Sequence, residues 1–275
     1  MLKFFTYLNS KIGYSDIGAG PVILWGHSYL FDKSSFAFQI DKLSKNFRCI
    51  AVDLWGHGDS SKLPEEINSF RDIAKVMSLL MDDLNITQYS IVSQAFSARW
   101  AIELAQLQPE KLASLVCVGS FVGTESEVMK DSFNTLLQEV EKSHQVTDAI
   151  ARFIAPFMFC EATYQKKYYL VEQFITRMQS TPVELLETFV KLGYMLVNRS
   201  SQWSSMLKIK TPILFMTGKY DLARPIEEAK LMQNKMPQSE LAIIEKAANM
   251  ITIEQPQQSL EWLEKFFNTR LIASV

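Results

Sequence analysis

Short apolar runs alternate with longer stretches of helical spacing along the first third of the chain. Phe4 to Leu8 and Ile12 to Asp16 read as two short strands. Gly18-Ala-Gly-Pro21 then breaks the chain, and Val22 to Trp25 reads as a short buried strand. Phe36 to Leu43 has helical spacing, and Cys49 to Val52 is an apolar run ending at Asp53. Ser69 has the character of an N-cap, with Asp72 three residues on. Phe70, Ile73, Met77, Leu80 and Leu84 then mark one helical face. Tyr89 to Val92 predicts a strand, Phe96 to Leu107 a helix stopped by Pro109, and Leu112 to Val118 a further strand.

The pattern changes from Phe121 to Trp203. Strand-like runs give way to amphipathic stripes: Phe133, Leu136, Leu137 and Val140, then Leu170, Phe174, Ile175 and Met178. Thr181-Pro182 reads as an N-cap followed by proline at the first helical position. Residues 121–203 therefore predict an all-helical insertion. The alternation resumes at Pro212: a strand at Ile213 to Thr217, a helix at Pro225 to Met236, a strand at Leu241 to Ile244 and a closing helix at Pro256 to Phe267. Strands alternating with helices imply an α/β fold, with a mostly parallel sheet covered on both faces. In such sheets the ligand sits at the C-terminal ends of the strands.

Composition changes this picture little. The 275 residues are 48% hydrophobic and 21% charged, which is ordinary for a globular chain. A net charge of −2 provides no field to attract nucleic acid or an anionic membrane. No apolar run is long enough to span a bilayer, and the apolar part of the N-terminus is too short for a signal peptide. Cys49, Cys117 and Cys160 are widely separated and read as buried free thiols of a cytoplasmic protein. Histidine occurs only at 27, 57 and 144, without a second ligand nearby in sequence, so neither a metal nor another cofactor is expected.

The candidate chemistry follows the strands. After the third comes Trp25-Gly-His-Ser-Tyr29, and after the fourth Asp53-Leu-Trp-Gly-His-Gly-Asp-Ser60. The fifth leads into Val92-Ser-Gln-Ala-Phe-Ser-Ala-Arg99, where small residues flank Ala95 as a tight turn requires. Gly218-Lys-Tyr-Asp221 and Ala247-Ala-Asn-Met-Ile-Thr-Ile-Glu-Gln-Pro256 follow the last two strands. In order and spacing these segments resemble the capped α/β-hydrolases over nearly the whole chain. The resemblance implies a core of residues 1–120 and 204–275, with residues 121–203 as a helical cap. It places the nucleophile position at Ala95, the acid at Asp221 and the base position at Asn249. Backbone N–H groups of Tyr29 and Phe96 fall where the family has its oxyanion hole, and the Asp53 turn, with His57, is structural.

Two of these positions depart from the family in a way that bears on chemistry. A methyl group does not attack a carbonyl, and an asparagine has no group that titrates near neutrality. Serines also stand at 28, 93 and 97, where the family has glycine. An engineered substitution would account for Ala95 alone, whereas four further departures fit natural divergence. Ser93 and Ser97 are expected to point away from the cleft, and His144 to be solvated or packed within the cap. Some of Phe153, Phe157, Phe159, Tyr164, Tyr168 and Tyr169 are expected to line an apolar pocket. The ancestral chemistry implied is hydrolysis of a small ester, lactone or thioester. The chain is then either an inactive or very slow hydrolase, or a non-catalytic relative that binds a small apolar or acyl ligand, or a protein partner, under the cap.

Overall fold

The structure, a computed structural model, describes residues 2–271. Eight strands form one sheet in the order β1-β2-β4-β3-β5-β6-β7-β8. β1 (Leu2–Tyr7) and β2 (Ser10–Ile17) form a hairpin turned by Leu8 and Asn9, both with positive φ (46° and 62°), the conformation a tight two-residue turn demands. β2 pairs antiparallel with β4 (Arg48–Val52), and every pairing beyond that is parallel. The parallel strands are β3 (Val22–Gly26), β5 (Tyr89–Gln94), β6 (Leu112–Val118), β7 (Ile213–Gly218) and β8 (Glu240–Ile244). Helices cover both faces, so Ile23, Leu24 and Trp25 are all buried although they point alternately up and down.

α1 (Ala37–Leu43) and α12 (Pro256–Leu271) cover one face. α2 (Phe70–Asp83), α3 (Phe96–Leu107) and α10 (Ile226–Lys235) cover the other. Ser69 caps α2 by accepting from Asp72 N, as the sequence pattern predicts. Between β6 and β7 lie six helices: α4 (Glu127–Ser143), α5 (Asp148–Met158), α6 (Glu161–Lys166), α7 (Tyr168–Gln179), α8 (Leu186–Val197) and α9 (Trp203–Met206). This helical segment has its own apolar core, which also takes in Leu30, Phe31 and Met250 of the α/β part.

Both junctions of the segment are fastened at one place. Arg99 on α3 donates to Phe121 O (3.1 Å) at the entry and to Ser200 O at the exit. Gln202 N donates to Val122 O (2.8 Å), joining entry to exit directly, and Gln202 Nε2 returns to Arg99 O (3.0 Å).

Thr181 and Pro182 behave differently from the expectation. Pro182 is extended (φ −59°, ψ 138°) and precedes a 3-10 turn, Val183–Leu185, before α8 begins. The Thr181 hydroxyl donates to Met178 O (2.9 Å) and so closes α7. A proline's fixed φ suits an extended residue as well as a first helical one, and the open carbonyls of the preceding helix took the hydroxyl. α11 (Ile251–Glu254) has no sequence signal, because four residues are too few to show a period.

Candidate active site

Ala95 stands between β5 and α3 with φ 48° and ψ −102°. Non-glycine residues rarely adopt that conformation, and it is held here from both sides. Ala95 N donates to Val118 O (2.9 Å) on β6, and Ala98 N to Ala95 O (3.2 Å) in the first turn of α3. The turn is tight because β3 approaches α3 closely. A Cβ on Gly26 would lie 2.7 Å from Ser97 Cβ and 2.4 Å from Trp100 Cζ2. The flanking serines have partners inside the protein. Ser93 Oγ donates to Val116 O (2.9 Å) and Ser97 Oγ to His27 O (2.5 Å), so neither hydroxyl is presented to the cleft.

Asp221 and Asn249 come together although 28 residues separate them. Asn249 Nδ2 donates to Asp221 Oδ2 (2.9 Å) and to Gly119 O (3.0 Å). Two acceptors fix the amide's orientation and use both its protons, leaving the side chain a carbonyl acceptor. Gly119, at φ 52°, is needed there: a Cβ on it would lie 2.8 Å from Asn249 Nδ2. The other Asp221 oxygen accepts from Ala223 N and Arg224 N, both at 2.8 Å. Burial pushes the Asp221 carboxyl up to about 7 against these donors.

Tyr29 opens the loop after β3, and its hydroxyl donates to Phe189 O (2.7 Å) on α8. Phe96 is the first residue of α3, where an N–H has no partner within the helix. Its ring is fully buried against Phe70, with centroids 5.0 Å apart. His27 and His57 are framework. His27 Nε2 accepts from Leu54 N (2.7 Å) and His57 Nε2 from Leu30 N (3.2 Å), while each Nδ1 faces a backbone carbonyl. Burial pushes both imidazoles down to about 3, so both are neutral. Asp53 accepts from Lys33 N and Asp59 N and is paired with Lys33 Nζ (2.6 Å), which holds its turn closed.

A cavity of about 130 Å³ lies between the strand ends and the helical segment. Tyr29, Ala95 and Asn249 border it, with Asp221 behind Asn249. Phe96 is not among its lining residues. Of the six aromatics, some of which were expected there, Phe157 borders it; Phe159 is buried in the segment's core, Tyr164 packs against that core, and Phe153, Tyr168 and Tyr169 are exposed. The apolar wall comes instead from residues such as Leu136, Leu137, Val140, Ile154 and Phe189. His144 ends α4 in the left-handed conformation, at φ 52°. Among the described residues no cluster of His, Cys, Asp and Glu is suited to a metal, and the three cysteines are buried and free.

Residues 21–256 match the model of a family described as the alpha/beta hydrolase fold. The chain belongs to that family. Relatives of this α/β hydrolase include the pimeloyl-[acyl-carrier protein] methyl ester esterase of Nitrosomonas europaea, 25% identical over 90% of this chain and 96% of that protein. The bifunctional epoxide hydrolase 2 of Sus scrofa is 23% identical over 96% of this chain, which spans 55% of that protein's length. Among solved structures, a thermophilic esterase from Thermogutta terrifontis, described as malate-bound, superposes with a TM-score of 0.88. It is 20% identical, covering 98% of this α/β hydrolase and 99% of the esterase.

Sequence reasoning missed three parts of the site. Gln94, the last residue of β5 before Ala95, is fully buried and donates to Asn249 O (2.9 Å), holding the Asn249 loop. Glu254 ties that loop to the helical segment, accepting from Ala248 N (2.6 Å), Cys160 N (2.8 Å) and Thr163 Oγ1 (2.6 Å). Arg99, Arg199, Arg224 and Glu125 form a charged stretch of the cavity wall. Their separation in sequence hides the last group, whereas a glutamate before Gln-Pro is a signal that deserved a role.

Proposed function

We propose that this α/β hydrolase binds a small acyl ligand beneath its helical segment, acting as a cap, and does not turn it over through a covalent intermediate. The observation that carries the reading is the pair at the elbow and the base position. Ala95 has no nucleophilic atom, and Asn249 spends both amide protons on Asp221 and Gly119. An asparagine carbonyl accepts a hydrogen bond but takes no proton near neutrality, so no general base stands where a histidine would. The largely apolar cavity beside Ala95 supports the binding half of the proposal.

The ancestral reaction, on this reading, is hydrolysis of a small ester, lactone or thioester, as the esterase relative suggests. Nucleophilic attack came from position 95, proton transfer from position 249 and orientation from Asp221, with Tyr29 and Phe96 N–H groups on the oxyanion. A site keeping only oxyanion donors and binding still exceeds the rate in water by roughly 10³-fold, so a trace of hydrolysis is compatible with the proposal. The buried free cysteines favour the reducing cytoplasm.

The test compares the chain with Ala95→Ser, Asn249→His and the double variant. A fluorophosphonate probe and the burst with short p-nitrophenyl esters report an activated serine. The chain itself and Asn249→His should not label, Ala95→Ser should label slowly, and the double variant should exceed the sum of the singles, because triad members act as a unit. Rapid labelling of the unmodified chain would overturn the proposal, since another residue would then carry the chemistry.

A further inference from the structure

Most polar side chains that border the cavity are already engaged inside the protein. The Tyr29 hydroxyl is spent on Phe189 O (2.7 Å). Arg99, Arg199 and Arg224 stand among Glu103, Glu125, Glu228 and Asp221, so that stretch of wall has no positive charge to spare. Ser28 and Asn249 differ. Ser28 O accepts from Phe31 N (3.2 Å) and faces His27 Nδ1 (2.7 Å), whereas the Ser28 hydroxyl has no partner among the described residues. Asn249 gives both amide protons away, and its Oδ1 has no partner among the described residues either. Neither oxygen is sealed off: each keeps accessible surface, although Ser28 is only 3% and Asn249 2% exposed. Both residues border the cavity, so the open oxygens face it.

The two oxygens stand on opposite sides of Ala95. β5, which leads into Ala95, lies between β3 and β6. β3 leads into Ser28, and β6 into Gly119, whose carbonyl holds Asn249. Neighbouring strands are about 4.8 Å apart, so roughly two such steps separate the sides. Their chemistry is unequal. A hydroxyl both donates and accepts, but Asn249 Oδ1 only accepts. A ligand that satisfies Asn249 therefore brings a proton of its own, and an ester, lactone or thioester has none beside its carbonyl. A carboxylic acid has one but loses it near neutrality.

We infer that the ligand beneath the cap is a secondary carboxamide, whose carbonyl accepts from Ser28 Oγ and whose N–H donates to Asn249 Oδ1. The inference rests on the proposed function and names the class of its ligand. A trans amide points its C=O and N–H in opposite directions, as a strand does between two neighbours, and so reaches both sides of Ala95 at once. The acyl chain then lies against Leu136, Leu137, Val140 and Ile154. With no nucleophile at position 95 the amide is held and not cleaved. A purely structural role for Asn249, tying its loop to Asp221 and Gly119, accounts for Nδ2. It leaves a buried carbonyl oxygen with nothing to accept from, which is uncommon.

Calorimetric titration of the intact protein with N-methylhexanamide, N,N-dimethylhexanamide and methyl hexanoate tests this. The three share an acyl chain and a carbonyl, and only the first has an N–H. Transfer into an apolar cavity by itself ranks that probe last, because its N–H must leave water. N-methylhexanamide should nevertheless bind about tenfold more tightly than either of the others. Asn249→Leu should reverse the order, since the N–H then has no acceptor. Ser28→Ala should weaken all three several-fold and keep their order. Should Asn249→Leu fail to fold, as judged by near-UV circular dichroism, the order in the unmodified protein and in Ser28→Ala still decides. An ester or tertiary amide bound as tightly as the secondary amide overturns the amide assignment and leaves the ligand-binding reading standing. A preference that survives in folded Asn249→Leu overturns the role of Oδ1, and unchanged binding to Ser28→Ala overturns that of the hydroxyl. Binding of none of the three probes overturns both the inference and the reading it rests on.

Discussion

At Ala95 the backbone holds a conformation that residues with a Cβ rarely adopt. A φ of 48° with ψ of −102° strains any residue with a Cβ, by about 1–3 kcal/mol, and no nucleophile is there to justify it. Glycine removes the strain and costs about 0.5–1 kcal/mol in unfolded-state entropy. Ala95→Gly is therefore expected to stabilise the protein by up to about 2 kcal/mol, read from urea midpoints. A loss of more than 1 kcal/mol, roughly the whole glycine penalty, would mean that the elbow is not strained. The neighbouring serines were legible as small residues. Their hydroxyl partners, Val116 O and His27 O, were not, because each acceptor lies on another strand or loop.

Among elements, the link between α11 and α6 governs how the helical segment sits over the cavity. The Glu254 carboxylate uses one oxygen for Cys160 N and Thr163 Oγ1 and the other for Ala248 N. Lys167 Nζ adds a bond to Glu254 O (2.6 Å), and Met250 N donates to Met158 O (3.1 Å) nearby. Glutamine in place of Glu254 turns an NH₂ group onto one of those backbone donors and leaves it unsatisfied. Glu254→Gln should cost about 1.5–3 kcal/mol and speed amide exchange at Cys160 and Ala248. Unchanged exchange at Cys160 would show that the carboxylate does not hold the segment down. The helix α3 and the strand β6 were legible to the residue, since a period and a proline or an apolar run mark them. α6, α9 and α11, of six, four and four residues, were not, because contacts rather than propensity hold such short helices.

Across the whole molecule, His27, His57 and Asp221 are buried groups whose shifts shape the response to mild acid. The ordinary value for His27 and His57 is 6.5, and burial lowers both to about 3. The stability they contribute is fully present above about pH 6.5 and is lost as pH falls towards 3. Asp221 works in the opposite direction: raised from 3.8 to about 7, its contribution is present below about pH 4 and is lost as pH rises through 7. Between pH 6 and 5 the unfolded chain binds two more protons on the imidazoles and one fewer on the carboxyl. Stability should fall with acidification by on the order of 1.4 kcal/mol per pH unit. Asp221→Asn should roughly double that slope in urea denaturation at several pH values. An unchanged slope would place Asp221 in its ionised form throughout.

What the sequence determined is whatever depends on local pattern. The alternation of buried runs with amphipathic stripes specified the α/β sheet and its helical insertion, because period and apolar length select strand or helix before any tertiary contact forms. The resemblance of the turns after the strands to those of capped α/β-hydrolases also singled out positions 29, 95, 221 and 249. Tertiary structure decided what those positions do together. Asn249 meets Asp221 and Gly119 only because the ends of β6, β7 and β8 are brought side by side in the sheet. Arg99, Arg199 and Arg224 share one cavity only because the helical segment folds back over α3. Pairing and burial of charges are properties of distance in space, and separations of about a hundred residues carry no trace of them in the chain.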